Sequence, residues 1–588
     1  PIEECKAEKG TIIHIPSGEK LTYGELSQAA SKLDQPENPK LKEPKEYRYI
    51  GKSIKRIDGE AIVSGKAKYG LDVKVPEMKY AVIEHAPSLG ALVTSWDDSE
   101  SKKIPGVFAL TPVVTGISNG VAVVADNLWA AMKGREVLKI EWDQTANGSF
   151  TSEAFHSKLM DSLDEKGFTT RSEGNLNDAI ANKHSKLESI YEYPFQAHAP
   201  LETMNCTAVV KEGSCEIWVS TQTPKTASTE VAKLLGINEK NVTVHVPLLG
   251  GGFGRRLFVD YVLETAEVSK AIDAPVQVVW TRVDDMKHGL FHPSTICKLT
   301  AGIDSDKQIT YLSHKCVSSD LSMFGKPSLN VDEYVDGWIP WGAYDNPYKF
   351  SAFDANYVHV DSPVPTGAWR AVFYNQNVFA RECFIDEIAN KIEMDPMALR
   401  VALLDAPDEE LTNYNIERKR LKNVLETALA KSDWAASLQK EDGKRRGKGV
   451  ACNIYHERNF MAYVTEVSVD NENKISVQRI VCVVDCGQVI NPSGLKGQIE
   501  SGIAWGLSAA LKGEITFEDG GVEQNSYRDF EVLRIDEMPK VEIHLIENTT
   551  HPAGIGEPPV PIVAPAVANA IFAATGQRLR KVPIILES

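Results

Sequence analysis

The chain has 588 residues, 43% of them apolar and 25% charged, with 64 Lys and Arg against 81 Asp and Glu and a net charge of −17. This acidic balance argues against a general nucleic-acid binder, which needs basic surface to neutralise phosphates. The apolar content, with no long low-complexity block, excludes a disordered chain. At roughly 150 residues per domain, about four domains are expected. The most apolar stretch, Pro558 to Thr575, carries four prolines and Asn569. It reads as a buried loop and helix rather than a membrane span, which needs about 18 uninterrupted apolar residues. The nine cysteines are sparse, odd in number and form no CxxC pair, which disfavours a disulfide scaffold and a resident iron–sulfur cluster. Cys482 and Cys486 are expected as buried thiols. With no HExxH and no EF-hand loop, a metal would arrive inside a cofactor.

In chain order, Thr22 and Glu25 spell a capping box with Leu21 and Leu26 as its staple, which predicts a short helix to about Leu33. A Pro- and charge-rich linker follows from Gln35 to Ile57. Residues 46–150 read as a compact α+β unit with short β-runs at Tyr80–Ile83 and Gly120–Val124 and a helical patch at Asn127–Lys133. The stretch 151–186 reads as helices and loops, and a large block continues to about 435. The charged, glycine-punctuated segment Gln439–Gly449 is expected as a seam outside any core. The last block, 450–588, is again mixed α and β.

Four segments carry candidate chemistry. Val242, Val244 and Val246 alternate as in a strand. Gly250-Gly-Gly-Phe-Gly254-Arg255-Arg256 follows, and Val259, Val262, Leu263 and Ala266 keep helical spacing. A strand, glycine loop and helix start offer backbone amides to an anion, with two arginines adding charge; a tight turn without a ligand is the alternative. The motif is neither a P-loop nor GxGxxG. Pro365-Thr-Gly367-Ala-Trp369-Arg370 precedes a helix expected at Asn377–Lys391, and Arg370 could guard a substrate or sit in an ordinary ion pair. The strand Lys474–Asp485 leads through Asp485-Cys-Gly487 and Asn491-Pro492 to Gly497-Gln498. There Gly502 and Gly506 share one helical face and permit close backbone approach. Finally, Gly554-Ile-Gly556-Glu557-Pro-Pro559 places a carboxylate on a stiff loop. Its glycines allow unusual backbone angles, and partial burial would raise its proton affinity toward that of a general base.

Together these motifs resemble the large, molybdopterin-binding subunit of the xanthine oxidase family, and within it the isoquinoline 1-oxidoreductase beta-subunit and aldehyde dehydrogenase type. They follow one another in family order over nearly the whole chain. Ser64-Gly65 through Glu141-Trp-Asp143 looks like the family's hammerhead domain. The resemblance implies an α+β, multidomain architecture: residues 1–45 as the remnant of an N-terminal cofactor-binding segment and linker, 46–150 as an α/β hammerhead domain, then 151–438 and 439–588 as two molybdopterin-binding parts. It also implies a molybdenum hydroxylase acting on an aldehyde or N-heteroaromatic compound with oxygen from water. Xanthine is disfavoured, because Arg255-Arg256-Leu257 stands where purine-oxidising relatives carry an acidic residue.

Carried over residue by residue, Glu557 and Arg370 are the implied catalytic residues. Gly251, Gly252, Phe253, Gly254, Arg255, Trp369, Arg370, Gln498 and Gly556 are the implied cofactor-binding residues, and the molybdenum is held by the pterin rather than by protein ligands. A bulky residue at Gly254 should then lower cofactor occupancy before it touches stability. The cofactor would be molybdopterin cytosine dinucleotide. Electrons would leave to a separate small subunit with [2Fe–2S] clusters, and a cytochrome c is a candidate acceptor beyond it. Relatives of this type carry a further N-terminal segment with a Gly-Gln-Gly turn. Nothing like it precedes Thr22, so a separate N-terminal fragment is a candidate partner, and a catalytically inactive, cofactor-carrying or assembly fragment is the alternative reading. The resemblance suggests a periplasmic site, with the cytoplasm as the alternative.

Overall fold

The computed structural model describes residues 1–39, 41–117, 119–322, 338–411, 414–439 and 441–586. The chain divides into two units, Pro1–Gly51 and Lys52–Ser588. In the first, strands Cys5–Glu8, Thr11–His14 and Lys20–Thr22 form an antiparallel sheet ahead of the helix Tyr23–Ala30. The capping box is present: Glu25 N–H donates to Thr22 Oγ1 at 3.2 Å, and Thr22 N–H donates to Glu25 Oε2 at 2.7 Å. The helix stops a turn short of Leu33, and Leu21 is exposed, so the staple is weak. The small sheet is too short and polar for strand alternation to announce it.

The second unit is built on three sheets. A seven-stranded sheet runs, in spatial order, Val242–His245, Ser214–Trp218, Asn205–Lys211, Val276–Val279, Lys79–His85, Gly120–Ala125 and Val107–Val113. The sheet of the 46–150 stretch is therefore continued by strands between 205 and 279. Ala81, Val82 and Ile83 are all buried because this central strand is covered on both faces, Val82 packing with Ala130 and Ala131, and Ala81 and Ile83 joining the cluster of Val262 and Ala266. Its neighbours are Gly120–Ala125, antiparallel, and Val276–Val279, parallel. A five-stranded sheet, Ser185–Tyr193, Thr295–Ile303, Ile309–Ser318, Phe353–His359 and Phe168–Glu173, takes its edge strand from the stretch read as helices and loops. The helix Tyr374–Lys391 packs on this sheet, starts a turn earlier than expected, and is buried at every position from Tyr374 to Ala389. A helix buried all round belongs to the middle of a large core.

The third sheet, Lys444–Tyr455, Asn459–Asp470, Ile475–Asp485 and Lys540–Leu545, overturns the seam expected at Gln439–Gly449. Lys440 lies outside the described residues, but from Lys444 onward the segment is a strand with Gly447 and Gly449 buried. These two glycines face the helix Val563–Thr575. A Cβ on Gly447 would lie 2.2 Å from Ala570 O, and one on Gly449 would lie 2.2 Å from Ala570 N. Glycine at alternate positions lets an alanine-rich helix lie directly on the strand backbone. All cysteines except Cys5 are buried free thiols, Cys482 and Cys486 among them. Among the described residues no helix is long and apolar enough to cross a membrane.

Replacing Gly449 with valine should force this helix off the sheet, costing about 1–3 kcal/mol or more. Thermal unfolding of the purified variant checks this, and an unchanged midpoint would contradict the packing described.

Candidate active site

The glycine loop follows the strand Val242–His245, and a 3-10 turn, Arg255–Leu257, separates it from the helix Asp260–Ile272. Gly251, Phe253 and Gly254 adopt φ values of 99°, 55° and 107°. A left-handed phenylalanine costs about 1–3 kcal/mol and persists only where its surroundings enforce it. Phe253 O accepts the N–H of Arg370 at 3.0 Å, and a Cβ at Gly254 would lie 1.7 Å from Ala368 O. The loop is thus pressed against Gly367–Arg370. Gly250 N–H donates to Glu202 Oε2 at 2.8 Å. Among the described residues no protein acceptor takes the amides of Gly251 to Gly254.

The arginines do not extend this cradle. Arg255 is 1% exposed, and its guanidinium pairs twice with Asp260, at 2.7 and 2.6 Å, between the rings of Tyr261 and Trp280. Arg256 is spent on Glu202 and on the carbonyls of Gly251, Ser220 and Glu202. A buried charge must be paired, so the anion-binding role expected of Arg255 gives way to a structural ion pair.

Arg370 joins the remaining motifs. Its Nε donates to Gly556 O at 2.6 Å, Nη1 to Ser501 Oγ at 2.9 Å, and Nη2 to Gln498 O at 3.1 Å and Gln498 Oε1 at 3.3 Å. Burial lowers its pKa, and the Glu557 charge opposes that shift; a guanidinium stays charged regardless. Its donors go to protein acceptors, so its geometry is that of a positioning residue rather than a catalytic one. Trp369 is likewise inward, with its indole N–H on Ala197 O at 3.1 Å.

The helix Pro492–Leu511 is capped by Asn491, whose side chain accepts from the N–H groups of Ser493 and Gly494. Gln498, Ser501, Gly502, Trp505 and Gly506 fall at helical spacing on one face. The close approach expected at the glycines is present: a Cβ on Gly502 would meet Pro559 Cβ at 2.5 Å, and one on Gly506 would meet Val563 Cγ2 at 2.7 Å. Trp505, unremarked in the sequence, stacks on Phe253 with centroids 3.9 Å apart and planes at 19°. The pair borders a cavity of ≈ 570 Å³ with Leu201, Tyr527 and Val532.

Glu557 is half-buried. Oε1 accepts the N–H of Ala371 at 3.2 Å, and Oε2 accepts the Tyr455 hydroxyl at 2.7 Å. Ala371 and Val372 hold left-handed φ values of 76° and 47°, a strained turn that aims this amide. Neither Gly554 nor Gly556 is left-handed, contrary to expectation; instead a Cβ on either would find nothing within 4 Å. Both glycines therefore border open space on the loop that carries Glu557. Tyr455 and Ala371 had no signal in the sequence, because each acts across more than a hundred residues.

Since a Gly254 side chain would meet backbone, Gly254→Ala should lower the thermal midpoint and the yield of folded chain. A variant that folds normally and loses only ligand binding would restore the simpler expectation from the sequence.

Two family models of a molybdopterin cofactor-binding domain match residues 159–403 and 399–539. The isoquinoline 1-oxidoreductase subunit beta of Brevundimonas diminuta is 29% identical over 99% of this chain and 78% of that protein. A membrane-bound aldehyde dehydrogenase [pyrroloquinoline-quinone] of Gluconacetobacter polyoxogenes is 29% identical over 97% of this chain and 76% of that protein. In fold, the chain matches quinoline 2-oxidoreductase from Pseudomonas putida 86 with a TM-score of 0.76 at 15% identity, covering 92% of this chain and 97% of that one. The chain belongs to the xanthine oxidase family of molybdopterin-dependent oxidoreductases, as a large, molybdopterin-binding subunit.

Proposed function

We propose that this chain is the catalytic subunit of a molybdenum hydroxylase that oxidises an aldehyde or an N-heteroaromatic compound with oxygen from water, with Glu557 as general base. The observation that carries the reading is the Glu557 carboxylate, oriented by two neutral donors and joined through Arg370 to the Gln498 helix and the glycine loop.

The residues fit the cofactor. Amides of Gly251 to Gly254 have no protein acceptor among the described residues, Gln498 is exposed, and Gly497, Gly554 and Gly556 border empty space. Loop amides suit phosphate oxygens, and the Gln498 amide suits the donor and acceptor edge of a pterin. When bound, the cofactor supplies two-electron redox chemistry and the point at which oxygen enters the substrate. Glu557 takes the proton released as water-derived oxygen bonds to carbon. Its two oxygens offer about four lone-pair positions, of which the two donors use two. Arg370 holds the Glu557 loop through Gly556 O and leaves the carboxylate free of a direct ion pair.

The cytosine dinucleotide form of the cofactor, a small [2Fe–2S] partner subunit and onward transfer to a cytochrome c belong to the same proposal, and several relatives are named as subunits. The alternative, an inactive cofactor carrier, would not need the carboxylate held in this way.

Natively purified protein from cells able to make the cofactor should contain about one molybdenum per chain and turn over isoquinoline or an aldehyde with an artificial acceptor. Glu557→Gln should keep its molybdenum and lose activity by about 10²–10⁴-fold. Near-normal turnover in that variant would sink the general-base assignment, and absence of molybdenum would favour the inactive carrier.

A further inference from the structure

We infer that Tyr455 is a positioning residue that sets the orientation of the Glu557 carboxylate, an inference that rests on the role given to Glu557 above. Tyr455 ends the strand Lys444–Tyr455, and its hydroxyl donates to Glu557 Oε2 at 2.7 Å while Ala371 N–H donates to Oε1 at 3.2 Å. One donor on each oxygen, from segments 102 and 186 residues away, fixes the plane of the carboxylate. Neither donor carries a charge, so the carboxylate is held without being neutralised by an ion pair.

Tyr455 is itself over-determined. It is 4% exposed, lies 4.4 Å from the Tyr374 ring between centroids, and meets His456 edge-on at 4.5 Å. Tyr374 does not compete for Glu557, because its own hydroxyl donates to Asp345 Oδ2 at 2.5 Å. The turn after Tyr455 places His456 and Glu457 at φ values of 47° and 62°, a strained pair at the tip of a hairpin. Two tyrosine hydroxyls pin it: His456 N–H donates to Tyr374 at 3.4 Å, and Glu457 N–H donates to Tyr414 at 3.2 Å. Strain held in this way beside a carboxylate costs stability and secures a direction for the Tyr455 ring.

The electrostatic surroundings agree. Burial first, and then the Glu557 charge, hold the Tyr455 phenol well above its usual range, so it remains a donor. Arg370 and His456 both feel the Glu557 charge, while Asp345 acts on Tyr455 and His456, and Glu457 on His456. Burial lowers the pKa of His456, against the pull of Asp345, Glu557 and Glu457, and burial raises that of Asp345. Losing the phenol removes one of the two hydrogen bonds that fix the carboxylate.

The test is Tyr455→Phe in the molybdenum-loaded enzyme, which keeps the ring and deletes one oxygen, with Glu557→Gln alongside. Expected are unchanged molybdenum content, KM within about twofold and kcat lower by about 10- to 100-fold. A crystal structure of Tyr455→Phe, which needs no substrate, should show the Glu557 carboxylate turned or spread over several orientations. A carboxylate that stays in place, or an unchanged kcat, overturns the inference, and loss of molybdenum assigns Tyr455 to cofactor retention instead. If Glu557→Gln is fully active, it is the role of Glu557 that fails.

Discussion

The buried guanidinium of Arg370 is the interaction on which the rest of the site depends. Its acceptors lie 128, 131 and 186 residues further along the chain, on the Gln498 helix and the Glu557 loop, and its backbone holds Phe253. Hydrogen bonds from a charged donor contribute about 1.5–3 kcal/mol each, and a buried guanidinium left unpaired would cost more. Three loops that belong to different sheets are therefore obliged to meet. A planar fork serves acceptors in several directions from one rigid group, which a lysine ammonium on a flexible stem does not.

Around that clasp the backbone is unusually strained. Phe253, Ala371, Val372, His456 and Glu457 all hold left-handed φ values without being glycine. Each conformation costs about 1–3 kcal/mol and needs a large, well-packed core to sustain it. The core is there: the helix Tyr374–Lys391 is buried from Tyr374 to Ala389, and the helix Val563–Thr575 from Val563 to Ile571. Glycines at 447, 449, 502 and 506 set the separations, because each lets a neighbouring segment approach where a Cβ would collide. Rigidity in the core thus holds one half-buried carboxylate in place.

Charge near a glycine loop is an unreliable guide to anion binding. Arg255 and Arg256 sit where a phosphate site would want them, yet both point into the protein and find Asp260 and Glu202. The loop amides, which find no protein acceptor among the described residues, are left untouched by burial of the arginines. The charged run at Lys444–Lys448 misleads for a related reason: its glycines, not its lysines, decide which face is core.

Local signals determined a good deal. The Thr22 capping box, the strand ending at Asp485, the strand before the glycine loop and the shared face of Gly502 and Gly506 are all legible, because period and capping depend on residues a few positions apart. The ordered motifs likewise singled out the segments of Glu557, Gln498 and the glycine loop, which Arg370 brings together. What only the tertiary structure decided is which groups touch. Tyr455 and Ala371 on Glu557, Trp505 on Phe253, and the continuation of the 79–125 sheet into 205–279 depend on sheet order and on helix packing across long sequence separations. A side chain's neighbours at such distances follow from the geometry of the whole core, and no stretch of sequence a few residues long contains it.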